Sequence, residues 1–271
     1  MNSSRWGFPI FAVLMLALPA LPVPEFWITQ LNCIGLYAIV SLGLVTLTGV
    51  AGLTSFGQAA FVGVGAYTAA FLAIKMGMSP WLTLPVGVGL SVVVALVLGA
   101  ITLRMSGHYL PLATIAWGLT IYYTLSNMAF LDKYDGLLGV PPITFFGTSL
   151  GSGRGVCVLI WLFALAGALT LTRLLDSRPG RAIRAIKNGT TMAEAMCIST
   201  VRYKVIAFVI AAMLAAISGG LVAHFQRTVN PSLFGLNKGI EYLFMAVLGG
   251  VGHVWGAFPG AGVLKLEQDQ L

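Results

Sequence analysis

Residues 147–151, Gly-Thr-Ser-Leu-Gly, have the spacing of a nucleophile elbow. That motif works when a strained strand-to-helix turn exposes the serine. Here it stands in a glycine-rich stretch beside an apolar run, and His108, His224 and His253 are scattered along the chain. Spacing alone supplies no base for Ser149 and no zinc-binding set. Residues 151–155, Gly-Ser-Gly-Arg-Gly, are an incomplete dinucleotide fingerprint with no βαβ pattern around them. No Gly-Lys pair occurs anywhere, so the lysine-bearing glycine loop that cradles nucleotide phosphates is missing from the sequence. Cys33 and Cys157 fall in apolar runs and Cys197 in a basic segment, with no metal or redox spacing. The pattern is that of a chain that is not itself an enzyme and carries no cofactor of its own.

Polar side chains inside long apolar runs are more telling. Gln30, Asn32, Thr54, Ser55, Gln58, Asn127 and Glu241 are of this kind. At membrane depth such groups bind one another or face a water-filled path. Ser55, Gly57, Gln58 and Glu241 are the candidates for such a path, and interhelical contact is the alternative for each. Two glycine-punctuated stretches, 49–57 and 249–252, interrupt the apolar pattern. Backbone freed from a helix at that depth persists only where protein or a cavity satisfies it. Paired breaks, one early and one late, are a pointer to a solute path near the midplane.

These residues must be carried by membrane helices. The 271-residue chain is 58% hydrophobic and 8% charged, against roughly a quarter charged in a soluble domain. The expected fold is an all-α, polytopic transmembrane helical bundle in a single domain, 1–271. With about 20 apolar residues needed per span, eight runs qualify: 7–23, 28–49, 56–74, 81–103, 108–131, 156–175, 205–225 and 240–265. The first reads as an uncleaved helix, because Leu18 spoils a signal-peptidase site. The last reads as one crossing or as two half-segments meeting near Gly249, Gly250 and Gly252. Small residues recur every fourth position at Gly87, Ser91, Ala95 and Gly99, at Ala207, Ala211, Ala215, Gly219 and Ala223, and at Gly252, Gly256 and Gly260. Each series predicts a smooth ridge for close helix packing.

The net charge of +7 lies between the apolar runs, which excludes a nucleic-acid face and fits positive-inside loops in contact with lipid headgroups. Segment 176–204, with Arg178, Arg181, Arg184, Lys187, Arg202 and Lys204, is assigned to the cytoplasm. Counting outward places ten of the 15 basic residues inside, with the N-terminus, Arg104 and Lys265, and five outside. Thr191-Met-Ala-Glu194 reads as a capping box that starts a short cytoplasmic helix.

Residues 53–70, Leu-Thr-Ser-Phe-Gly-Gln-Ala-Ala-Phe-Val-Gly-Val-Gly-Ala-Tyr-Thr-Ala-Ala, resemble the signature of permeases of branched-chain amino acid ABC importers. So do the Arg104–Tyr109 turn, the basic stretch 177–186, the start of the next span at 202–208, and the glycine-rich 245–257. The likeness runs from about residue 28 to 262 and is of the M-type subunit. It implies a transmembrane path shared with a second permease subunit. Two cytoplasmic ATPase subunits would hydrolyse Mg-ATP, and a periplasmic binding protein would deliver a branched-chain amino acid or related small polar solute across the bacterial inner membrane. Residues 191–197 fall where the family places its coupling helix, so Met192, Ala193, Glu194, Ala195 and Met196, with Arg181 nearby, would contact an ATPase. Cys197 stands where the family usually has glycine, and Lys133-Tyr134 replaces a small-residue pair. The resemblance also implies at least one further apolar segment beyond Leu271. A stand-alone channel or secondary carrier for a solute such as urea or an amide is the rival reading.

Overall fold

The computed structural model describes residues 15, 19, 24–103, 109–145, 148–149 and 153–268. The first apolar run, apart from Met15 and Pro19, and positions 104–108 of the turn before the fifth run lie outside them. Ten α-helices are described: α1 Glu25–Leu44, α2 Gln58–Lys75, α3 Pro80–Thr102, α4 Tyr109–Asn127, α5 Gly153–Asp176, α6 Arg178–Asn188, α7 Thr190–Ala195, α8 Thr200–Gln226, α9 Leu236–Leu248 and α10 Ala257–Gln268. Five are long and apolar enough to cross a membrane: α1 with its extension to Val50, α2, α3, α5 and α8. Proline sits in the first turn of α3 (Pro80) and α6 (Pro179), where its missing N–H has no intrahelical partner to lose. Gly77, at φ 61°, follows the end of α2 and permits the turn toward α3.

α8 occupies the centre, packed on α1, α2 and α3. Two of the three predicted ridges form. Ala207, Ala211, Ala215, Gly219 and Ala223 are all buried along α8. Gly87, Ser91, Ala95 and Gly99 are all buried along α3. A Cβ at Gly219 would collide with the carbonyl of Val62, and one at Gly65 with the backbone of Ala216. Glycine is thus what lets α2 and α8 touch backbone to backbone. Ser91 Oγ donates to the Ala212 carbonyl at 3.4 Å, and Ser218 Oγ to that of Leu36 at 2.9 Å.

The third ridge does not exist. Gly252, at φ 99°, lies in a break; Gly256 ends a 3-10 turn, Val254–Gly256; and Gly260 belongs to α10. α9 and α10 do not run end to end as one crossing over 240–265. Gly249 abuts Gly256, and Gly260 abuts Met245 and Gly249, so the two short helices fold back on each other. A periodicity of four cannot distinguish a ridge on one helix from small residues on both arms of a hairpin. The hairpin also removes the assumption that placed Lys265 with the cytoplasmic charges.

The segment after α4 folds as a cap. Strand β1 (Leu137–Leu138) pairs antiparallel with β4 (Thr228–Val229), and β2 (Thr144–Phe145) pairs with β3 (Thr148–Ser149). Trp81 Nε1 donates to the Thr144 carbonyl at 2.9 Å. His224 Nδ1 donates to the Pro141 carbonyl at 2.9 Å, leaving Nε2 3.3 Å from Thr83 Oγ1. The cap joins the start of α3 to the end of α8, so these ends share one side, as the sequence-based count expects.

Gly219→Val is expected to destabilise the bundle by about 1–3 kcal/mol through overpacking, read as a lower unfolding temperature in detergent. Gly89→Val is the control, since nothing lies within 4 Å of a Cβ there. Equal losses would show that helix propensity, not the α2–α8 approach, sets the cost.

Candidate functional site

The first break begins as a widened helix. After Leu44 the chain runs as a π-helix over Val45–Val50, and the Ala51 N–H donates to the Thr46 carbonyl at 3.1 Å. Insertions of this kind recur at functional sites because they free backbone groups and re-aim side chains. Thr46 Oγ1 donates to the Leu42 carbonyl at 3.1 Å, and Thr48 Oγ1 to that of Leu53 at 3.3 Å. Gly52 then turns the chain at φ 70°. The second break meets the first: a Cβ at Gly49 would collide with the amide of Gly252. The two predicted discontinuities are one crossing point.

Ser55, Gly57 and Gln58 follow directly and open α2. Ser55 and Gln58 are each 1% exposed. Neither Ser55 Oγ nor either end of the Gln58 amide has a partner among the described residues. A buried polar group left so costs roughly 1–3 kcal/mol, which marks this segment as unlike ordinary packing. Gly57 lies against α4, 2.9 Å from the Thr114 carbonyl at its would-be Cβ. Thr114 Oγ1 also accepts from the Phe56 N–H at 3.3 Å. Glu241, on α9, accepts from Lys238 Nζ at 2.6 Å and is a partly exposed, neutralised carboxylate rather than a lone charge. Gly239 beside it abuts the Phe56 carbonyl, so the backbones bearing Ser55, Gly57, Gln58 and Glu241 are brought together. Asn32 instead serves as interhelical contact, donating to the Gly153 carbonyl at 3.0 Å.

Sequence reading singled out only Asn127 of α4. Only Leu110, Thr114 and Ser126 of its residues are buried. Tyr109, Leu112, Ala116, Thr120, Tyr123 and Asn127 are exposed, at spacings of three or four that make one continuous stripe. The outer half of that stripe carries a hydroxyl, a phenol and an amide and no formal charge. Thr120 Oγ1 and Asn127 Nδ2 return to backbone carbonyls of Ala116 and Tyr123 at 2.9 and 2.7 Å. A stripe of this spacing was readable from residues 109–127, but burial was needed to show that no described helix covers it. By contrast, an open groove of about 320 Å³ between α5 and α8, lined by Phe163, Gly167, Leu171, Ile210, Met213 and Ile217, is apolar and suits lipid tails.

The short helix α7 begins one residue before the predicted cap. Gly189 precedes its first residue, and Thr191 makes no capping bond. Glu194 turns away from the helix start and accepts from Thr200 Oγ1 at 2.9 Å, tying α7 to the first turn of α8. The predicted capping box is therefore replaced by a link between helices. Met192 and Met196 are each 70% exposed, and Glu194 and Ala195 are exposed with them. Ala193 is buried at 2% and is the inward anchor, not part of the outward face. Arg181 is exposed on α6, where its Nη1 donates to the Asp176 carbonyl at 3.1 Å. Cys197 closes α7 at φ 58°, a left-handed conformation that favours glycine.

Together these features define an all-α, multi-pass membrane protein. Residues 27–269 match the family described as branched-chain amino acid transport system / permease component, and the chain belongs to that family. It is 28% identical over 258 residues to the high-affinity branched-chain amino acid transport system permease protein LivM of Salmonella typhimurium, covering 86% of this chain and 61% of that one. The chain thus spans about 61% of the length of that relative. It is 26% identical over 253 residues to LivH of Escherichia coli and 28% identical over 252 residues to BraD of Pseudomonas aeruginosa, in each case covering 86% of this chain and 80% of the relative. A solved structure described as a metal-chelate type ABC transporter, inward-facing, covers 98% of this chain at 16% identity with a TM-score of 0.49, too low to compare architectures in detail.

Cys197→Gly is expected to relieve left-handed strain worth about 1 kcal/mol and to raise the unfolding temperature of the purified protein. An unchanged or lower temperature would mean that the cysteine side chain repays its strain by packing.

Proposed function

We propose that this chain is the M-type permease subunit of an ATP-driven importer for branched-chain amino acids or related small solutes. The observation that carries the reading is α7: a short helix set outside the bundle with Met192 and Met196 facing solvent on a strongly basic segment. An exposed apolar anchor pair of this kind needs a protein partner. Two cytoplasmic ATPase subunits, binding and hydrolysing Mg-ATP, fit that need. Segment 176–204 then faces the cytoplasm of a bacterial cell, the N-terminus lies inside, and the cap over 132–149 faces a periplasmic solute-binding protein.

The path itself runs along α4. Its stripe from Tyr109 to Asn127 is the face offered to a second permease subunit, and the crossing of the two broken segments lies at its cytoplasmic end. A lining of hydroxyl, phenol and amide groups without formal charge suits a solute of no net charge, such as a zwitterionic amino acid with an apolar side chain. The unpartnered Ser55 and Gln58 sit behind this face, where waters or a shifted backbone would satisfy them in another state. Nucleotide binding in the ATPases changes the relative stability of those states, and energy enters only through the contact at α7.

Capture of the chain from its native membrane is expected to bring two ATPases and a second permease with it. Met192→Glu combined with Met196→Glu should lower ATPase recovery about tenfold while membrane insertion is unchanged, as hot-spot anchors do. Recovery as a solitary, solute-conducting homo-oligomer would favour the channel reading instead. A second measurement tests the path. In a variant with Cys33, Cys157 and Cys197 changed to serine, cysteines at Ala116, Thr120 and Tyr123 should react with a water-borne thiosulfonate and lose uptake. Cysteine at Leu110 or Ser126 should not. Uniform protection along α4 would place the path elsewhere.

A further inference from the structure

One cation on the cytoplasmic segment reaches into the bundle. Lys187 lies in the last turn of α6, two residues before Gly189 and the start of α7. Its Nζ donates to the Gly49 carbonyl at 2.7 Å, across 138 positions of sequence. Gly49 is in the closing turn of the π-helix, where carbonyls run out of intrahelical partners. A cation there meets both the unpaired oxygen and the negative end of the helix dipole. The contact is more than the tip of a flexible chain. Gly52, at φ 70°, brings its backbone against the lysine stem, with Lys187 Cγ 3.3 Å and Cα 3.6 Å from a would-be Cβ. The lysine, though exposed, thus lies along the first break, with its stem on Gly52 and its tip on Gly49. Gly49 in turn touches Gly252 of the second break.

α6 and α7 are joined at Gly189, whose N–H donates to the Ile186 carbonyl of α6 at 3.3 Å. Ile183 and Ile186 of α6 and Ala193 of α7 are buried, and the Ala193 N–H donates to the Gly189 carbonyl at 3.1 Å. Arg178, Arg181 and Arg184 are exposed on the same helix, as Lys187 is, but among its described residues only Lys187 bonds to a broken segment. We infer that Lys187 is the positioning residue through which displacement of the α6–α7 pair is delivered to the Gly49–Gly252 crossing, shifting both broken segments together. The inference rests on the ATPase-docking reading of α7. It goes beyond it by assigning where the motion enters the path.

The test uses the assembled complex with its ATPases, reconstituted in liposomes, with wild type, Lys187→Met and Lys187→Arg. Lys187→Met keeps the stem and loses the hydrogen bond; its uptake should fall about tenfold, within the range of coupling energies, while assembly and ATP hydrolysis persist. Lys187→Arg should recover most of the uptake, because a guanidinium can still donate to the Gly49 carbonyl. A second readout follows the crossing itself. Cysteine placed at the exposed Val251, in a background with the three native cysteines changed to serine, should change its maleimide reactivity on vanadate trapping, and the Met variant should abolish that change. Wild-type uptake in Lys187→Met at equal ATP turnover would overturn the inference, as would loss of uptake only in proportion to lost assembly. If even the wild-type chain recruits no ATPase, the docking reading fails first and the role of Lys187 falls with it.

Discussion

Hydrocarbon offers a peptide group no hydrogen bond, so wherever this backbone leaves the α-helix another part of the chain must answer it. That constraint explains why the two broken segments meet. The π-helix over Val45–Val50 and the turn at Gly249–Gly252 each leave backbone amides and carbonyls without regular helical partners. Placed against one another, with Lys187 on the Gly49 carbonyl, they shield what neither could shield alone. Glycine is required at the contact because backbones must approach to within van der Waals distance. The break therefore has only a few arrangements available to it. A structure that can move must find a second set of partners, and the unpaired amide of Gln58 and hydroxyl of Ser55 follow the first break in sequence.

Close packing elsewhere sets what can move. Lipid tails give helices no hydrophobic reason to associate, so contact depends on dispersion and on backbone proximity. α8 achieves this on three sides through its alanine–glycine face, and α1, α2 and α3 are held to it as a block. α4 has three buried residues and is held mainly at Thr114 and Gly57. The α6–α7 pair touches the bundle through the inward side of α6, where Ile183 and Ile186 are buried, and through Lys187, Ala193 and Glu194. The molecule thus divides into a dense centre and two peripheral elements, the helix that carries a polar stripe and the helix pair that carries the basic segment.

Much of this is written locally. Apolar length gives α1, α2, α3, α5 and α8, but the expected crossings over 108–131 and 240–265 are not among the described helices long and apolar enough to span; the α3 and α8 ridges follow from a four-residue repeat of Gly, Ala and Ser. Breaks at 49–57 and 249–252 follow from glycine at membrane depth. What local pattern does not hold is which segments touch. The repeat at Gly252, Gly256 and Gly260 has the same spacing as a ridge, yet serves two arms of a hairpin. Thr191 and Glu194 have the capping-box spacing, yet Glu194 finds Thr200 because α8 returns beside α7. Ala193 lies in the middle of an exposed motif and is nonetheless the buried one, since a helix of six residues must turn one side inward. Lys187 looks like any other cation in a basic stretch until its partner, far along the chain, is known. Cys197 is the reverse case: its position, where the family's glycine is expected, already points to the left-handed backbone found there.

The basic segment also shows why its charges differ in purpose. On α6, Arg178, Arg181, Arg184 and Lys187 recur at every third residue, while Gly180, Ile183 and Ile186 turn inward. Three arginines remain in solvent, where headgroups and water screen them. The fourth cation is at the end nearest α7, where the helix passes the end of the π-helix. α7 then anchors through Ala193 and ties back to Thr200 through Glu194. A displacement applied at Met192 and Met196 would reach α8 through the Glu194–Thr200 bond and the packing of α6 on it, and the broken segments through Lys187. α8 is locked into the dense centre by backbone contact and yields little. The glycine crossing is also a close backbone contact, but it joins segments that have already left the helix, so on the proposed reading it is there that the push through Lys187 would enter the membrane domain.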